Sequence, residues 1–256
     1  MKIVIVFFGI TRSLSSTLPS IEKNIITPIR KFGNVSMLGH FFQQEAIDNP
    51  RSNENGLLDQ NEYKLLNLDW TQLEKTDLCL DKWQFQRICK HGDAWNDDFK
   101  SLKNLIHQLH SLYCVTQEAI KYQPDIVLFC RPDLLYHDNF SPILNKAAHQ
   151  TKKQNAYIPF WQWQTGLNDR FAICTGRKSI EAYGMRIEQI QNYFETFNEP
   201  LHSERLLKFA LARQRIHVKP VRLRASRVRL GGEVKDESFS FLYHMGWKKV
   251  ILDMLR

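Results

Sequence analysis

The chain has 256 residues, of which 43% are hydrophobic and 12% aromatic, enough apolar surface for one substantial core and a single domain. This composition excludes a disordered protein, and no run reaches the roughly 20 apolar residues that cross a bilayer. The formal net charge of +8 calls for an anionic partner, such as a diphosphate, an anionic membrane surface or a nucleic acid.

The first elements along the chain are predicted as strand, loop and helix. The apolar run Ile3–Phe8 is too short for the apolar part of a signal peptide and predicts a buried strand. A polar loop, Thr11–Thr17, follows it. The apolar residues after this loop recur at helical spacing: Leu18, Ile21, Ile25, Ile26 and Ile29. We then expect a second strand over Asn34–Phe42 and a polar loop over Gln43–Asn61.

The middle of the chain carries the clearest periodic patterns. Apolar residues at helical spacing over Asp98–Tyr122 predict a long amphipathic helix, which Pro124 ends. The continuous apolar run Ile126–Cys130 predicts a strand that is buried on both faces, as strands of parallel sheets are. The polar residues Arg131 and Asp133 therefore stand at the carboxyl end of a buried strand.

The second half alternates strands with helices. We expect strands over Ala156–Phe160 and Arg170–Cys174, a helix over Ser179–Phe197, a helix over His202–Arg213 and a strand over Ile216–Val221. Strands that alternate with helices predict an α/β fold with an open, mainly parallel sheet and helices on both faces.

The five cysteines are odd in number and none is spaced as Cys-x-x-Cys. This pattern predicts a reduced, cytoplasmic type of environment. Cys114, Cys130 and Cys174 lie in apolar runs, where a free cysteine packs as a small hydrophobic residue.

Ligands of open α/β sheets bind beyond the carboxyl ends of the strands, so polar residues there are candidates for function. Three loops qualify: one contains Arg12, one Arg131 and Asp133, and one Asn168 and Asp169.

The segment Phe129–Tyr136, which contains Arg131-Pro132-Asp133, resembles glycosyltransferases of the GT-A fold in which a strand runs into Arg-Pro-Asp. The resemblance implies that Asp133 binds Mg²⁺ or Mn²⁺ bridging the diphosphate of a nucleotide sugar. Arg131 replaces the first acid of the more common Asp-x-Asp, so a site in which a guanidinium meets the diphosphate without metal stays open. A purely structural ion pair of Arg131 is the alternative.

A second segment, Gly166–Ile173, resembles the acceptor loop of the same enzymes. The resemblance implies that Asn168 and Asp169 contact the acceptor sugar, with Asp169 as a catalytic base whose pKa partial desolvation raises. Trp161 and Trp163 just before this segment are of a type that stacks on sugars, although core packing is an equal interpretation.

A third segment, His202–Leu211, resembles the helix of these enzymes that opens with an acid, and implies Glu204 as the rival catalytic base. There the helix dipole would favour the ionised form, so we favour Asp169 narrowly. A capping role for this turn is the structural alternative.

His244 matches a late metal or phosphate ligand of some relatives.

The first-strand loop of this family meets the nucleotide, which implies that Gly9, Thr11 and Arg12 contact the donor. The stretch from 205 to 232 contains nine basic and no acidic residues, and it is expected to supply phosphate contacts or face an anionic membrane. The residues expected to do so are Arg222, Arg224, Arg227 and Arg229.

The resemblance to these enzymes implies a glycosyltransferase that moves a sugar from a nucleotide donor, with uridine as the commonest base in the family, to a glycan or lipid-linked glycan. We expect residues 1–137 to bind the donor and residues 138–256 the acceptor. The location expected is the cytoplasm, with peripheral attachment to a membrane as an option.

Two other classes remain open. The loop Thr11–Leu18 also resembles the phosphosulfate loop of sulfotransferases, where a phosphate binds a helix N-terminus. The basic stretch could instead bind nucleic acid, but no recognition motif for nucleic acid accompanies it, so no nucleic-acid partner is expected.

Overall fold

A computed structural model of the chain describes residues 1–49 and 54–240. The strands in chain order are β1 (Lys2–Gly9), β2 (Asn34–Gln43), β3 (Ala46–Asn49), β4 (Glu54–Leu57), β5 (Trp70–Lys75), β6 (Ile126–Cys130), β7 (Leu134–Tyr136), β8 (Asn155–Pro159), β9 (Ala172–Thr175), β10 (His217–Val221) and β11 (Ala225–Arg227). The helices are α1 (Leu14–Ile21), α2 (Thr27–Ile29), α3 (Leu78–Lys82), α4 (Phe85–Cys89), α5 (Lys100–Lys121), α6 (Ser141–Ala148), α7 (Arg177–Gly184), α8 (Ile190–Phe197) and α9 (Ser203–Arg213).

Seven of these strands form one sheet in the order β10-β8-β9-β6-β1-β2-β5. All of them run parallel except β9, which is antiparallel to both β6 and β8. The predicted α/β class with a mainly parallel sheet is therefore confirmed.

Helices cover both faces of the sheet because the side chains of β1 alternate between two apolar layers. Ile3, Ile5 and Phe7 pack in one layer with residues of α1 and α6. Val4 and Phe8 pack in the other layer with residues of α5, α7 and α9. This alternation is what a strand with period two requires when both faces are covered.

The helix predicted after the first loop is present, with a π-helical turn over Glu22–Ile26 between α1 and α2. Among the described residues, no helix combines the length and the apolar character that a membrane span needs.

The segment predicted as a loop over 43–61 instead contains the antiparallel hairpin β3–β4. Its residues are mostly polar and carry no strand pattern. The hairpin is held from outside, because the 5% exposed Glu54 accepts hydrogen bonds from Arg12 and Arg229. The short strands β7 and β11, which pair with each other, were also not predicted.

The helix predicted over 179–197 is divided into α7, a 3₁₀ turn over Arg186–Gln189, and α8. Gly184 ends α7 where the chain passes close to α5. A Cβ at this position would meet the side chain of Thr116, whose hydroxyl donates to Leu112 O at 2.6 Å. The glycine is therefore required by close packing between α7 and α5.

We expect Gly184→Ala to lower the free energy of unfolding by about 1–3 kcal/mol, since the added methyl overpacks a buried contact with Thr116. Urea denaturation measures this change. Lys208→Ala, on an exposed position of α9, is the control and should stay within about 0.5 kcal/mol of the parent chain. An unchanged unfolding free energy for Gly184→Ala would contradict the packing described.

Candidate functional site

A cleft of about 450 Å³ opens at the carboxyl ends of β1, β2 and β6. Phe8 and Gly9 line it from the end of β1, Phe42 from the end of β2, and Arg131 from the residue after β6. The carboxyl edge of a parallel sheet is where ligands of open α/β folds bind. Eight of the residues singled out in the sequence line this cleft: Gly9, Arg12, Arg131, Asp133, Asp169, Glu204, Arg227 and Arg229.

Asp133 forms the centre of the charged part of the cleft. Its side chain is 4% exposed, and both of its carboxylate oxygens accept hydrogen bonds from guanidinium groups. Arg131 donates from Nε to Oδ1 at 2.9 Å and from Nη2 to Oδ2 at 2.6 Å, and Arg12 donates from Nη2 to Oδ2 at 2.7 Å. The predicted pair of Arg131 and Asp133 is thus a bidentate ion pair, and Arg12 joins it from 121 residues away.

The turn that carries this pair is held by α1 and by its own strand. Thr17 Oγ1 donates to Pro132 O at 2.5 Å, and the Tyr136 hydroxyl accepts from Arg131 N–H at 3.0 Å. Asn24 Nδ2 donates to Tyr136 O at 2.6 Å. The charged side chains therefore stand on a backbone that is fixed at both ends.

Burial raises the pKa of Asp133, but Arg131 and Arg12 more than offset this effect and hold its pKa well below the ordinary value. A divalent ion would have to displace guanidinium donors from both oxygens. The described residues around Asp133 therefore do not fit the Mg²⁺ or Mn²⁺ that the motif implied. The second expected ligand, His244, lies outside the described residues.

A second shared acid, Glu54, extends this charge cluster. It accepts from Arg12 Nη1 at 3.2 Å and from Arg229 Nη1 at 2.7 Å, and Leu230 N–H donates to it at 3.1 Å. A third acid, Glu237, accepts from Arg227 Nε at 2.9 Å. These contacts bring the end of the basic stretch to the cleft.

Six arginine and lysine side chains and four acidic side chains line the cleft, and several of the positive groups lie close enough to lower one another's pKa values. Burial and then Arg227 lower the pKa of Arg170 to about 10, and the same two causes lower the pKa of Lys235. Burial, with contributions from Arg12 and Arg227, also lowers the pKa of Arg229. A bound anion would relieve this mutual repulsion.

Two of the expected phosphate-binding arginines do not reach the cleft. Arg222 and Arg224 are both exposed, and Arg224 donates to Asp138 from its backbone N–H and from its guanidinium group. These two arginines therefore face solvent, as was expected of those among the four that do not contact a phosphate. Arg227 and Arg229 lie further along and line the cleft.

Asp169 is held by a hydroxyl and by a buried cation. Ser203 Oγ donates to its Oδ2, and Arg186 Nη2 lies 3.9 Å from the same oxygen. Arg186 is fully buried, and its Nη1 donates to Tyr183 O at 2.7 Å. Burial raises the pKa of Asp169, but Arg186 and Ser203 outweigh it and the pKa lies below its ordinary value. The expected upward shift of this pKa is wrong.

Glu204 shows the opposite shift. Burial raises its pKa to about 7, and the nearby charge of Asp169 contributes, while a hydrogen bond from Thr165 Oγ1 opposes the rise. The expectation that the start of α9 would lower the basicity of Glu204 is wrong, because desolvation by burial raises its pKa. Gly166 explains the local geometry, since a Cβ there would meet the backbone of Glu204.

The expected acceptor contacts of the tryptophan loop are wrong for two of its residues. Trp161 is fully buried and its Nε1 donates to Leu223 O at 2.9 Å, so the ring belongs to the core. Asn168 is 1% exposed and bonds Trp161 O and Arg170 N–H, which shapes the loop. Trp163 packs half-buried against the other core layer and lies outside the cleft lining.

A different aromatic pair lines the cleft. Trp95 and His202 stack with ring centroids 5.5 Å apart and an interplanar angle of 26°. Thr11 stands between the cleft residues Ile10 and Arg12 and is half-buried.

Sequence patterns did not point to Glu54, Glu237, Arg186 or Trp95. Glu54 and Trp95 lie in polar segments without periodicity, and Arg186 lies in a turn inside the range whose pattern predicts one helix. The one usable signal was Asn198-Glu199-Pro200, which marks the turn that brings His202 to the cleft.

No family model matches the chain, and no curated protein matches it. The chain is similar to the crystal structure of mouse xyloside xylosyltransferase 1, apo form, with a TM-score of 0.42 and 10% identity over 86% of this chain and 85% of that one. It is also similar to the apo-form glycosyltransferase GlyE of Streptococcus pneumoniae TIGR4, with a TM-score of 0.41 and 10% identity over 84% of this chain and 44% of that one. At such low scores and identities, these likenesses carry no conclusion about the chemistry of the cleft.

The raised pKa of Glu204 predicts a pH dependence of stability. Above the ordinary pKa of 4.5 the unfolded state loses a proton that the folded state keeps. The contribution of Glu204 to the free energy of unfolding is therefore fully present below about pH 4.5 and is lost as the pH rises through about 7. Glu204→Gln has no proton to lose. Its unfolding free energy, relative to the parent chain, should therefore increase between these two pH values.

Urea denaturation at several pH values measures this difference. Glu195→Gln, at an exposed position of α8, is the control and should show no such trend. A difference between Glu204→Gln and the parent chain that does not change with pH would contradict the shift.

Proposed function

We propose that the chain is a glycosyltransferase that moves a hexosyl or pentosyl group from a nucleoside-diphosphate sugar to a hydroxyl of a glycan. The observation that carries the proposal is that one cleft joins a cationic cluster to a carboxyl group, Glu204, with a pKa of about 7. The cationic cluster suits the binding of a leaving diphosphate, and the carboxyl group can act as a proton acceptor. The resemblance of Arg131-Pro132-Asp133 to glycosyltransferase motifs supports the same class.

The diphosphate is proposed to bind the cationic side of the cleft, against Arg131, Arg227, Arg229 and Lys235. Guanidinium groups match phosphate oxygens in a bidentate way, and fixed donors stabilise the charge that develops as the sugar–phosphate bond breaks. Arg12 and Asp133 are proposed to position Arg131, because Asp133 binds the guanidinium through both oxygens. This arrangement needs no divalent ion at Asp133.

Glu204 is proposed as the catalytic base of an inverting reaction. The acceptor oxygen bonds the anomeric carbon while its proton passes to the carboxylate, and the bond to the diphosphate oxygen breaks. A base with a pKa near the working pH serves this step better than Asp169, whose carboxylate is held ionised by Arg186 and Ser203. Asp169 is proposed to orient the acceptor hydroxyl.

The acceptor sugar is proposed to lie against Trp95, which lines the cleft and stacks on His202. An aromatic face offers the apolar side of a sugar ring a large contact at low cost in entropy. The exposed Arg222 and Arg224 are available to an anionic membrane that carries a lipid-linked acceptor. The proposed donor contacts come from both parts of the chain, because Arg131 lies before residue 137 whereas Arg227, Arg229 and Lys235 lie after it.

The sulfotransferase alternative is disfavoured by the start of α1. It requires a phosphate on the first N–H groups of that helix. Ser15 N–H donates instead to the carboxylate of Glu62 at 2.8 Å, and Thr17 N–H donates to Ser13 O at 3.1 Å. A carboxylate at this helix start repels a phosphate.

A panel of nucleotide sugars and phosphoadenosine phosphosulfate in differential scanning fluorimetry tests the function. We expect at least one nucleoside-diphosphate sugar to raise the melting temperature, with or without EDTA. Arg229→Ala and Arg227→Ala should weaken its binding about 10- to 100-fold, since each removes a charge-assisted contact. Arg222→Ala and Arg224→Ala are matched controls that keep the parent affinity.

Absence of stabilisation by every nucleotide sugar would overturn the function. Equal losses in all four arginine variants would overturn the proposed diphosphate position. A strict requirement for Mn²⁺ would contradict the guanidinium site.

Sugar transfer and donor binding, measured separately, identify the base. We expect Glu204→Gln to lose transfer by about 10²-fold or more while keeping donor affinity, on the usual scale of general-base catalysis. Asp169→Asn should raise the acceptor KM and lose less of kcat. If Asp169→Asn loses more kcat than Glu204→Gln, Asp169 is the base. Normal transfer in both would favour a retaining mechanism without an enzymatic base.

A further inference from the structure

A cluster of metal-binding side chains lies where α5 crosses β2 and β5, apart from the residues assigned to the reaction. It consists of His40 on β2, Glu74 on β5, and His110 and Cys114 on α5. One ligand atom from each residue lies within 4.8 Å of all the others. His40 and His110 are buried, and the other two are half-buried.

The distances between these atoms approach those of a tetrahedral site. His40 Nε2 lies 3.2 Å and His110 Nε2 2.9 Å from the same Glu74 oxygen, Oε2, and Cys114 Sγ lies 3.4 Å from His110 Nε2. Zinc bonds of about 2.0–2.3 Å set tetrahedral ligand atoms about 3.3–3.8 Å apart. Small movements of side chains would therefore make room for an ion.

The hydrogen-bond partners of His40 supply a second, independent indication of a metal ion. Ser111 Oγ donates to His40 O at 2.6 Å, so it accepts from His40 Nδ1 at 3.2 Å, and Nδ1 carries the proton of the neutral ring. The fully buried imidazole then turns the lone pair of Nε2 toward a carboxylate oxygen. A cation between His40 Nε2 and the Glu74 oxygen would satisfy both acceptors. Metal-binding histidines typically hydrogen-bond through their other ring nitrogen, as His40 does through Nδ1.

We propose that His40, Glu74, His110 and Cys114 bind one Zn²⁺ ion. Two imidazole nitrogens, a thiolate and a carboxylate are a ligand set that zinc accepts, whereas Mg²⁺ and Ca²⁺ require oxygen ligands. Binding converts the Cys114 thiol to a thiolate and releases its proton to solvent.

The role of this ion is structural. Ser111 Oγ, which positions His40, also accepts from Gly9 N–H at 2.8 Å, and Gly9 lines the cleft at the end of β1. The ion would therefore join β2, the edge strand β5 and helix α5, and the hydrogen bond between Ser111 and Gly9 links α5 to the end of β1. This site stands independently of the proposed reaction.

Zinc at His110 Nε2 has a consequence for Trp83. The Trp83 Nε1–H now donates to His110 Nδ1 at 2.9 Å, but a neutral ring with zinc on Nε2 carries its proton on Nδ1. Two N–H groups would then face each other, so the indole has to turn away. Trp83→Phe removes this conflict and should bind the metal at least as tightly as the parent chain.

The test uses Co²⁺ as a spectroscopic probe on the full chain after dialysis against a chelator. We expect one equivalent of Co²⁺ to bind with a thiolate-to-cobalt charge-transfer band, and Zn²⁺ to displace it. Cys114→Ser should lose this band, and His110→Gln should bind at least tenfold more weakly. Cys89→Ser and His149→Gln are matched controls, since neither residue is in the cluster, and both should keep the band and the affinity.

Zn²⁺ should also raise the melting temperature of the parent chain and of Trp83→Phe, but not of His110→Gln, which keeps the test valid if Cys114→Ser folds poorly. Absence of a stoichiometric cobalt spectrum, or a charge-transfer band that persists in Cys114→Ser, would overturn the site. These readouts do not depend on sugar transfer. The metal site can therefore fail its test while the proposed function holds, and the proposed function can fail while the metal site holds.

Discussion

The cleft depends on one buried carboxylate, Asp133, that two arginines share. A buried charge is costly unless it is paired and hydrogen-bonded, and here every oxygen has a guanidinium donor. Arg131 comes from the turn after β6, and Arg12 from the loop after β1. The pairing therefore fixes the ends of two neighbouring strands relative to each other, and with them the floor of the cleft.

The same pattern of a buried acid shared by arginines recurs around the cleft. Glu54 lies between Arg12 and Arg229, and Glu237 binds Arg227 and contacts Arg170 at 2.9 Å. Together the three acids Asp133, Glu54 and Glu237 bind five arginines, with Arg12 shared between two of them, so the cluster keeps an excess of positive charge. The structural ion pairs and the positive charge on which the proposed diphosphate binding depends are therefore consequences of one arrangement.

Two carboxyl groups in this cleft differ in charge because their surroundings differ. Asp169 lies near the buried cation of Arg186 and accepts from Ser203, which favours its ionised form. Glu204 loses hydration without a comparable cation and lies near the charge of Asp169, which favours its protonated form. These environments push the two pKa values apart, as the proposed division into an orienting group and a proton acceptor requires.

The sequence alone determined the elements whose patterns are local. Continuous apolar runs predicted the buried strands β1 and β6, and apolar residues at helical spacing predicted α5. Asp133 became a candidate because it follows a buried strand. Only the tertiary structure decided which side chains meet, such as Arg12 with Asp133 across 121 residues. It also decided that Trp161 is core rather than cleft and that Cys114 lies beside His40. These outcomes depend on packing between distant segments, which no local pattern encodes.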